Sequence, residues 1–236
     1  SLLYGGGKVG VALFMLITGY FVIDKDIDYK KLIKLETQVL FYSILIYFGI
    51  TLYAGYAFNK REILNVFIPN ITKVYWFYSG YFIISLLSPY ITKLLRKLNK
   101  KEFLKLLIIL FIFLIGFPLL RIECMNEIVC MLYYLLIGCF IKKHVNISKG
   151  KRLIFLIISI ITYCLMCLSI VLIPKYNFHF LMIPLDRFYF AYLCSPFVIV
   201  SSCSLFIWFS SIKLKYSKII NKLGSISFAV YLFHDH

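Results

Sequence analysis

The chain has 236 residues, of which 62% are hydrophobic and 19% aromatic, and its mean hydropathy is +0.89. That is more apolar surface than one water-soluble core can hide, which argues against an ordinary globular protein in water. The formal charge of +16 invites a nucleic-acid partner, yet Lys and Arg gather in separate short clusters rather than along one face, and that distribution argues against it.

Between the clusters run uncharged stretches at residues 9–23, 37–58, 74–92, 106–120, 128–141, 153–174 and 188–212, with an eighth beginning at Leu223. About 20 residues at a rise of 1.5 Å cross the hydrocarbon. The second, third, sixth and seventh runs are therefore long enough outright. The first, fourth and fifth are short; they span if flanking Lys105, Arg121 and Lys142 snorkel to the headgroups, or they are partly re-entrant. The pattern predicts an all-α, polytopic transmembrane helix bundle of about seven full helices plus the start of an eighth, in a single domain over residues 1–236.

Charge alternates from loop to loop. The odd-numbered loops hold 19 basic residues and the even-numbered ones six, namely Lys60, Arg61, Lys73, Arg121, Lys175 and Arg187. By the positive-inside rule the odd loops are expected to be cytoplasmic. Merging or omitting any short run would destroy the alternation downstream of it. The first run then leads from outside to inside, so a helix is expected upstream of Ser1. At the other end the eighth run stops in mid-helix at His236, and truncation is expected at both ends.

The seven cysteines read as small hydrophobes, because most lie inside apolar runs. Cys164 and Cys167 form a C-x-x-C without the βαβ context of a redox motif, and no metal site is expected.

Four groups of residues carry chemical potential. In loop one, Lys30, Lys31 and Lys34 share a helical face, forming a patch for a phosphorylated ligand or for anionic lipid headgroups. The stretch from Tyr75 to Tyr81 includes Trp76 and Tyr78 at the expected outer end of the third run. It reads as an interfacial aromatic belt or as a stacking platform for a sugar. Asp186 and Arg187 stand side by side near His179, and Arg121, Glu123 and Glu127 crowd the fourth loop; such charges are solvated or contact a polar substrate. His234 and Asp235 fall about twelve residues beyond Lys222, deep in the membrane region, where ionisable groups are functional candidates or satisfied, bundle-facing side chains.

The order of several segments resembles the bacterial integral-membrane acyltransferases of acyltransferase family 3, which O-acylate cell-surface polysaccharides. These are GVALFMLITGYF at residues 10–21, Tyr75-Trp76-Phe77 leading to Leu87-Ser88-Pro89, CSPFVI at 194–199 and GSISFAVYLFHD at 224–235. The resemblance implies an acyl group, most often acetyl, moved from acyl-CoA to a hydroxyl of a cell-surface or lipid-linked glycan. Acyl-CoA is then a donor substrate, and no resident cofactor is expected. The family's R-x-x-R motif falls on Lys31 and Lys34, which the resemblance makes donor-binding. Lys keeps the charge but lacks the bidentate fork of Arg. The family's presumed catalytic His lies on a helix upstream of Ser1, so no residue here takes that role and the piece by itself is expected to be inactive. A different class of reading, a transporter or flippase for a lipid-linked sugar, rests on the helix count and the aromatics.

Overall fold

A computed structural model of the chain describes residues 4–25, 28–55, 59–67, 75–119, 127–146, 152–176, 178–180, 183–212, 216–222, 224 and 231. Among them α-helices follow in the order α1 (Tyr4–Val22), α2 (Tyr29–Ala54), α3 (Lys60–Phe67), α4 (Trp76–Lys97), α5 (Lys100–Leu119), α6 (Glu127–His144), α7 (Arg152–Tyr176) and α8 (Pro196–Ser210). Each of the seven apolar runs is helical over most of its described length. Of the eighth, residues 224 and 231 are described, and these are helical, as are residues 218–222 just before it.

Among the described residues four stretches are long and apolar enough to cross a membrane: Gly5–Val22, Tyr29–Ala54, Arg152–Tyr176 and Tyr189–Ser210. The α7 helix makes the physical case most directly. Only 22% of its apolar window is buried inside the protein, and Ile154, Ile157, Ile161, Leu165, Leu168 and Val171 stand exposed along it. Water would not tolerate that stripe, whereas lipid solvates it.

Three local features depart from the pattern of runs and loops. Loop two contains α3, whose Lys60, Arg61 and Glu62 hid it from a reading that looked for uncharged stretches. Loop three is not a loop over most of its length, because α4 and α5 continue into it and leave a turn around residues 98–99. The seventh run is not one continuous helix either. A 3-10 turn at Tyr189–Ala191 precedes α8, whose first residue is Pro196. Proline cannot donate to the preceding turn and drives Ser195 to extended backbone, φ −70° and ψ 149°. Ser195 then caps the new helix, its Oγ accepting from Val198 N–H at 3.2 Å. In the sixth loop His179–Phe180 pairs antiparallel with Ile183–Pro184, a two-residue ladder and the only strand pairing among the described residues.

The chain divides into two compact units interleaved in sequence. The first comprises residues 1–26 and 87–213, the second 27–86 and 214–236.

In the first unit α1 packs chiefly on α6 and α7 on α8, with α8 also against α1. The α1–α6 crossing is closest at two glycines. A Cβ built on Gly19 would run into the Leu135 carbonyl, and one on Gly138 into the Leu16 carbonyl. Backbones meet that closely only where small residues face each other, and van der Waals contact then replaces the hydrophobic drive that lipid removes. Cys139 adds an S–H contact to Gly19 O at 3.2 Å. The α7–α8 seam is polar: Ser159 Oγ donates to Ser201 O at 3.0 Å, and Ser201 Oγ donates to Ser159 O at 3.2 Å. Lys8 Nζ pairs with Glu127 Oε1 at 2.5 Å, tying the second turn of α1 to the first turn of α6.

Two cysteines do not behave as free hydrophobes. Cys130 in α6 and Cys194 ahead of α8 are joined in a disulfide across 64 residues of sequence. Beside it Tyr134 O–H donates to Leu193 O at 2.6 Å.

In the second unit α2 begins at Asp28 and ends at Gly55, which adopts the left-handed conformation, φ 67°, and donates its N–H to Thr51 O. Glycine reaches that geometry without a Cβ penalty, which is why it closes helices. The short α3 packs on α2 through buried Val66.

Alanine normally stabilises a helix interior by about 1 kcal/mol over glycine. Gly19→Ala and Gly138→Ala should reverse that sign and cost about 1–3 kcal/mol through overpacking, read as a lowered thermal midpoint of the purified protein in detergent. Gly10→Ala, whose Cβ meets nothing within 4 Å, should leave the midpoint unchanged or raise it.

Candidate functional site

The cationic patch stands at the start of α2. Asp28 caps the helix, its Oδ1 accepting from Lys30 N–H at 3.1 Å. Its Oδ2 lies 3.7 Å from Lys31 Nζ, but that side chain is 85% exposed, so the pair contributes little. Leu32 and Val39 turn inward, while Lys30, Lys31 and Lys34 remain exposed. The start of the helix therefore buries Leu32 and leaves a ridge of three ammonium groups in the open beside exposed Tyr29 and Ile33.

The next turn of α2 carries Glu36. Tyr78 O–H donates to Glu36 Oε2 at 2.5 Å. Val39, Tyr75 and Tyr78 form a buried cluster lined by Leu35, Tyr42, Tyr81 and Phe82, and the Tyr231 ring stands 5.4 Å from that of Phe77. Tyr78 is fully buried. Its ring is thus not an open platform for a sugar, because a phenol in apolar surroundings must find an acceptor, and Glu36 supplies it. Trp76 is half-buried, edge-on to Phe77 at 6.1 Å.

The aromatic stretch also differs from its expected position. Charge alternation set residues 75–81 at the face opposite Lys34, yet the Tyr78–Glu36 bond sets the first turn of α4 beside the third turn of α2. By helix rise Glu36 is about 10 Å from the start of α2. The Lys ridge and the tyrosine cluster are near neighbours within this unit.

Asp186 and Arg187 belong to the other unit and are committed to local structure. Asp186 Oδ1 accepts from Phe188 N–H at 2.7 Å and Tyr192 O–H at 3.0 Å. Arg187 Nε donates to Ile170 O at 3.3 Å. They shape the turn leading to α8. Glu127 is engaged by Lys8, while Arg121, Glu123, His234 and Asp235 lie outside the described residues.

Sequence reading passed over Glu36 and Lys8. Both stand at the edge of an apolar run, where a charge reads as a loop residue. The available signal was a lone ionisable group within one turn of uncharged helix, the usual mark of a partnered or working side chain in a membrane.

Apolar helices with lipid-type exposed faces and basic residues at their ends define a polytopic membrane protein. Compared with known families, the chain matches the family model described as an acyltransferase domain over residues 2–235. It belongs to acyltransferase family 3, and its activity is that of a membrane acyltransferase. No curated protein and no solved structure matches it.

A double-mutant cycle tests the carboxylate–phenol bond. Tyr78→Phe and Glu36→Gln should each destabilise the protein, and the pair should show a coupling of about 1 kcal/mol, as expected of a buried charge-assisted hydrogen bond. Additive effects within about 0.3 kcal/mol would mean that the two side chains act separately.

Proposed function

We propose that the protein moves an acyl group, acetyl in the first instance, from acyl-CoA at the cytoplasmic side of the cell membrane to a hydroxyl of a cell-surface or lipid-linked glycan. The observation that carries this reading is the ridge of Lys30, Lys31 and Lys34, exposed at the start of α2 in a chain of acyltransferase family 3. Acyl-CoA presents clustered phosphates on one end and a thioester on the other. Ammonium groups at the membrane boundary suit the phosphates, and Lys31 and Lys34 occupy the spacing of the family's paired basic residues. In the transfer the acceptor oxygen attacks the thioester carbonyl, the C–O bond forms, the C–S bond breaks and the thiol leaves with a proton. A base must take the proton of the hydroxyl. No residue of the chain is assigned that role.

Orientation is part of the proposal. With odd loops cytoplasmic, the starts of α6 and α8 face outward, and Cys130 and Cys194 are placed there. A disulfide persists in an oxidising compartment and is reduced in the cytosol, which supports the same orientation. In whole cells, a membrane-impermeant maleimide should label Cys130 and Cys194 only after treatment with a membrane-impermeant reductant. Labelling that requires permeabilisation would reverse the orientation.

Activity is tested with labelled acetyl-CoA supplied to membranes that contain the natural full-length protein. Label should appear on a glycan or lipid-linked sugar. The double variant Lys31→Gln/Lys34→Gln should raise the donor KM roughly tenfold or more, the loss expected of one or two charge-assisted contacts. Lys31→Arg/Lys34→Arg should bind donor at least as well as the parent. Absence of transfer to any acceptor, together with unaltered donor binding in the Gln variant, would overturn the reading.

A further inference from the structure

Within the first unit, α1, α4 and α6 finish close together, and cations close their ends. Lys143 Nζ donates to Leu95 O, Arg96 O and Leu98 O at 3.2, 2.9 and 2.7 Å, so its three protons are used on carbonyls of the last turn of α4 and the residue just past it. Arg96 Nε donates to Ile23 O at 2.8 Å, just past the end of α1. Lys142 pairs with Asp24 at 3.4 Å and lies 4.7 Å over the Tyr20 ring. These groups explain each other, and His144 is what they leave over.

His144 ends α6, its ring 6.2 Å from that of Phe103 and 5.3 Å from that of Phe140. Its Nε2 is buried and has no hydrogen-bond partner among the described residues. Leaving such a group unmet is unfavourable, a cost that a bound acceptor would remove. The residue as a whole is only half-buried, so this nitrogen lies close to the surface. Burial holds its pKa below the ordinary value, and Lys143 and Lys100 add to that by charge repulsion. A metal cation would meet the same repulsion. An anion would be attracted: Lys97, Lys100 and Lys101 stand exposed where α4 gives way to α5, and α5 brings its first turn to His144 through Phe103. Among the described residues the carboxylates at this end are engaged: Asp24 faces Lys142, and Glu102 accepts from Asn99 N–H at 2.9 Å in the cap of α5.

We propose that His144 and Lys100 form a phosphate-binding site at this end of the first unit, with imidazole N–H and ammonium as donors to one phosphate group. Its residues belong to the first unit, whereas Lys31 and Lys34 belong to the second, and it does not depend on the acyl-transfer reading. Two sources carry the required chemistry, an anionic phospholipid headgroup and a soluble nucleotide phosphate.

The test is the thermal midpoint of the purified full chain in neutral detergent, with phosphatidylglycerol, ADP or phosphatidylcholine added. Phosphatidylglycerol or ADP should raise the midpoint by several degrees, and phosphatidylcholine should do so less. A response to phosphatidylglycerol alone identifies a lipid site, and a response to ADP alone a nucleotide site. Lys100→Gln and His144→Phe should lose most of the ligand-induced shift, while His144→Gln, which keeps an N–H, should retain part of it. Lys175→Gln removes a charge elsewhere and should retain all of it. The proposal is overturned if neither phosphate ligand shifts the parent, if His144→Phe responds fully, or if Lys175→Gln loses as much as Lys100→Gln. Because the readout is a ligand-induced difference, a variant of lower intrinsic stability still decides the matter.

Discussion

The contact on which the first unit depends is the crossing of α1 and α6 at Gly19 and Gly138. In lipid, apolar side chains gain nothing by leaving their solvent, so helices are held by close packing and by polar groups that have nowhere else to go. Two missing side chains let two backbones approach until each glycine faces a carbonyl of the other helix. Around that point the remaining polar contacts fall into place: Cys139 on the Gly19 carbonyl, Lys8 on Glu127 toward one end, and Lys142 on Asp24 toward the other. A helix pair in closest contact near the end of α1, tied beside that point by Lys142–Asp24 and at the far end by Lys8–Glu127, is a rigid frame. The α8 helix packs onto it, with α7 in turn against α8.

The same economy governs charge. Basic residues here have more than one duty. Some remain in the open, as Lys30, Lys31 and Lys34 do, and these are the ones suited to a mobile anion. Others have become structural, capping carbonyls at helix ends where the backbone has run out of its own donors. Lys143 and Arg96 are of the second kind. A count of positive residues by loop treats both alike, which is why it cannot tell a cation that holds the fold from one left open to a ligand.

Much of the fold was legible because the membrane allows so few solutions. An uncharged run of sufficient length has to be helix, and the helices from α1 to α8 follow the runs apart from α3. That helix was missed because its first three residues are charged. The interruption before α8 could have been read from Pro196, whose effect on Ser195 is local and predictable. The disulfide could not, since nothing in the neighbourhood of Cys130 or Cys194 signals a partner 64 residues away. The site was legible in part. The cationic face of α2 follows from helical spacing alone, as does its exposure opposite Leu32 and Val39. The engagement of Tyr78 by Glu36 is a tertiary fact, and it altered the meaning of the aromatic stretch from exposed surface to packed interior.

The bridge between Cys130 and Cys194 also changes the connectivity of the molecule. Most of α6, all of α7, the short antiparallel ladder and the 3-10 turn lie on a covalent circle whose closure is sulfur. Cutting the polypeptide once anywhere on that circle yields two fragments that still travel as one, and only a reductant parts them. The segment between α6 and α8 can therefore fray or be nicked without releasing either half of the bundle from the other.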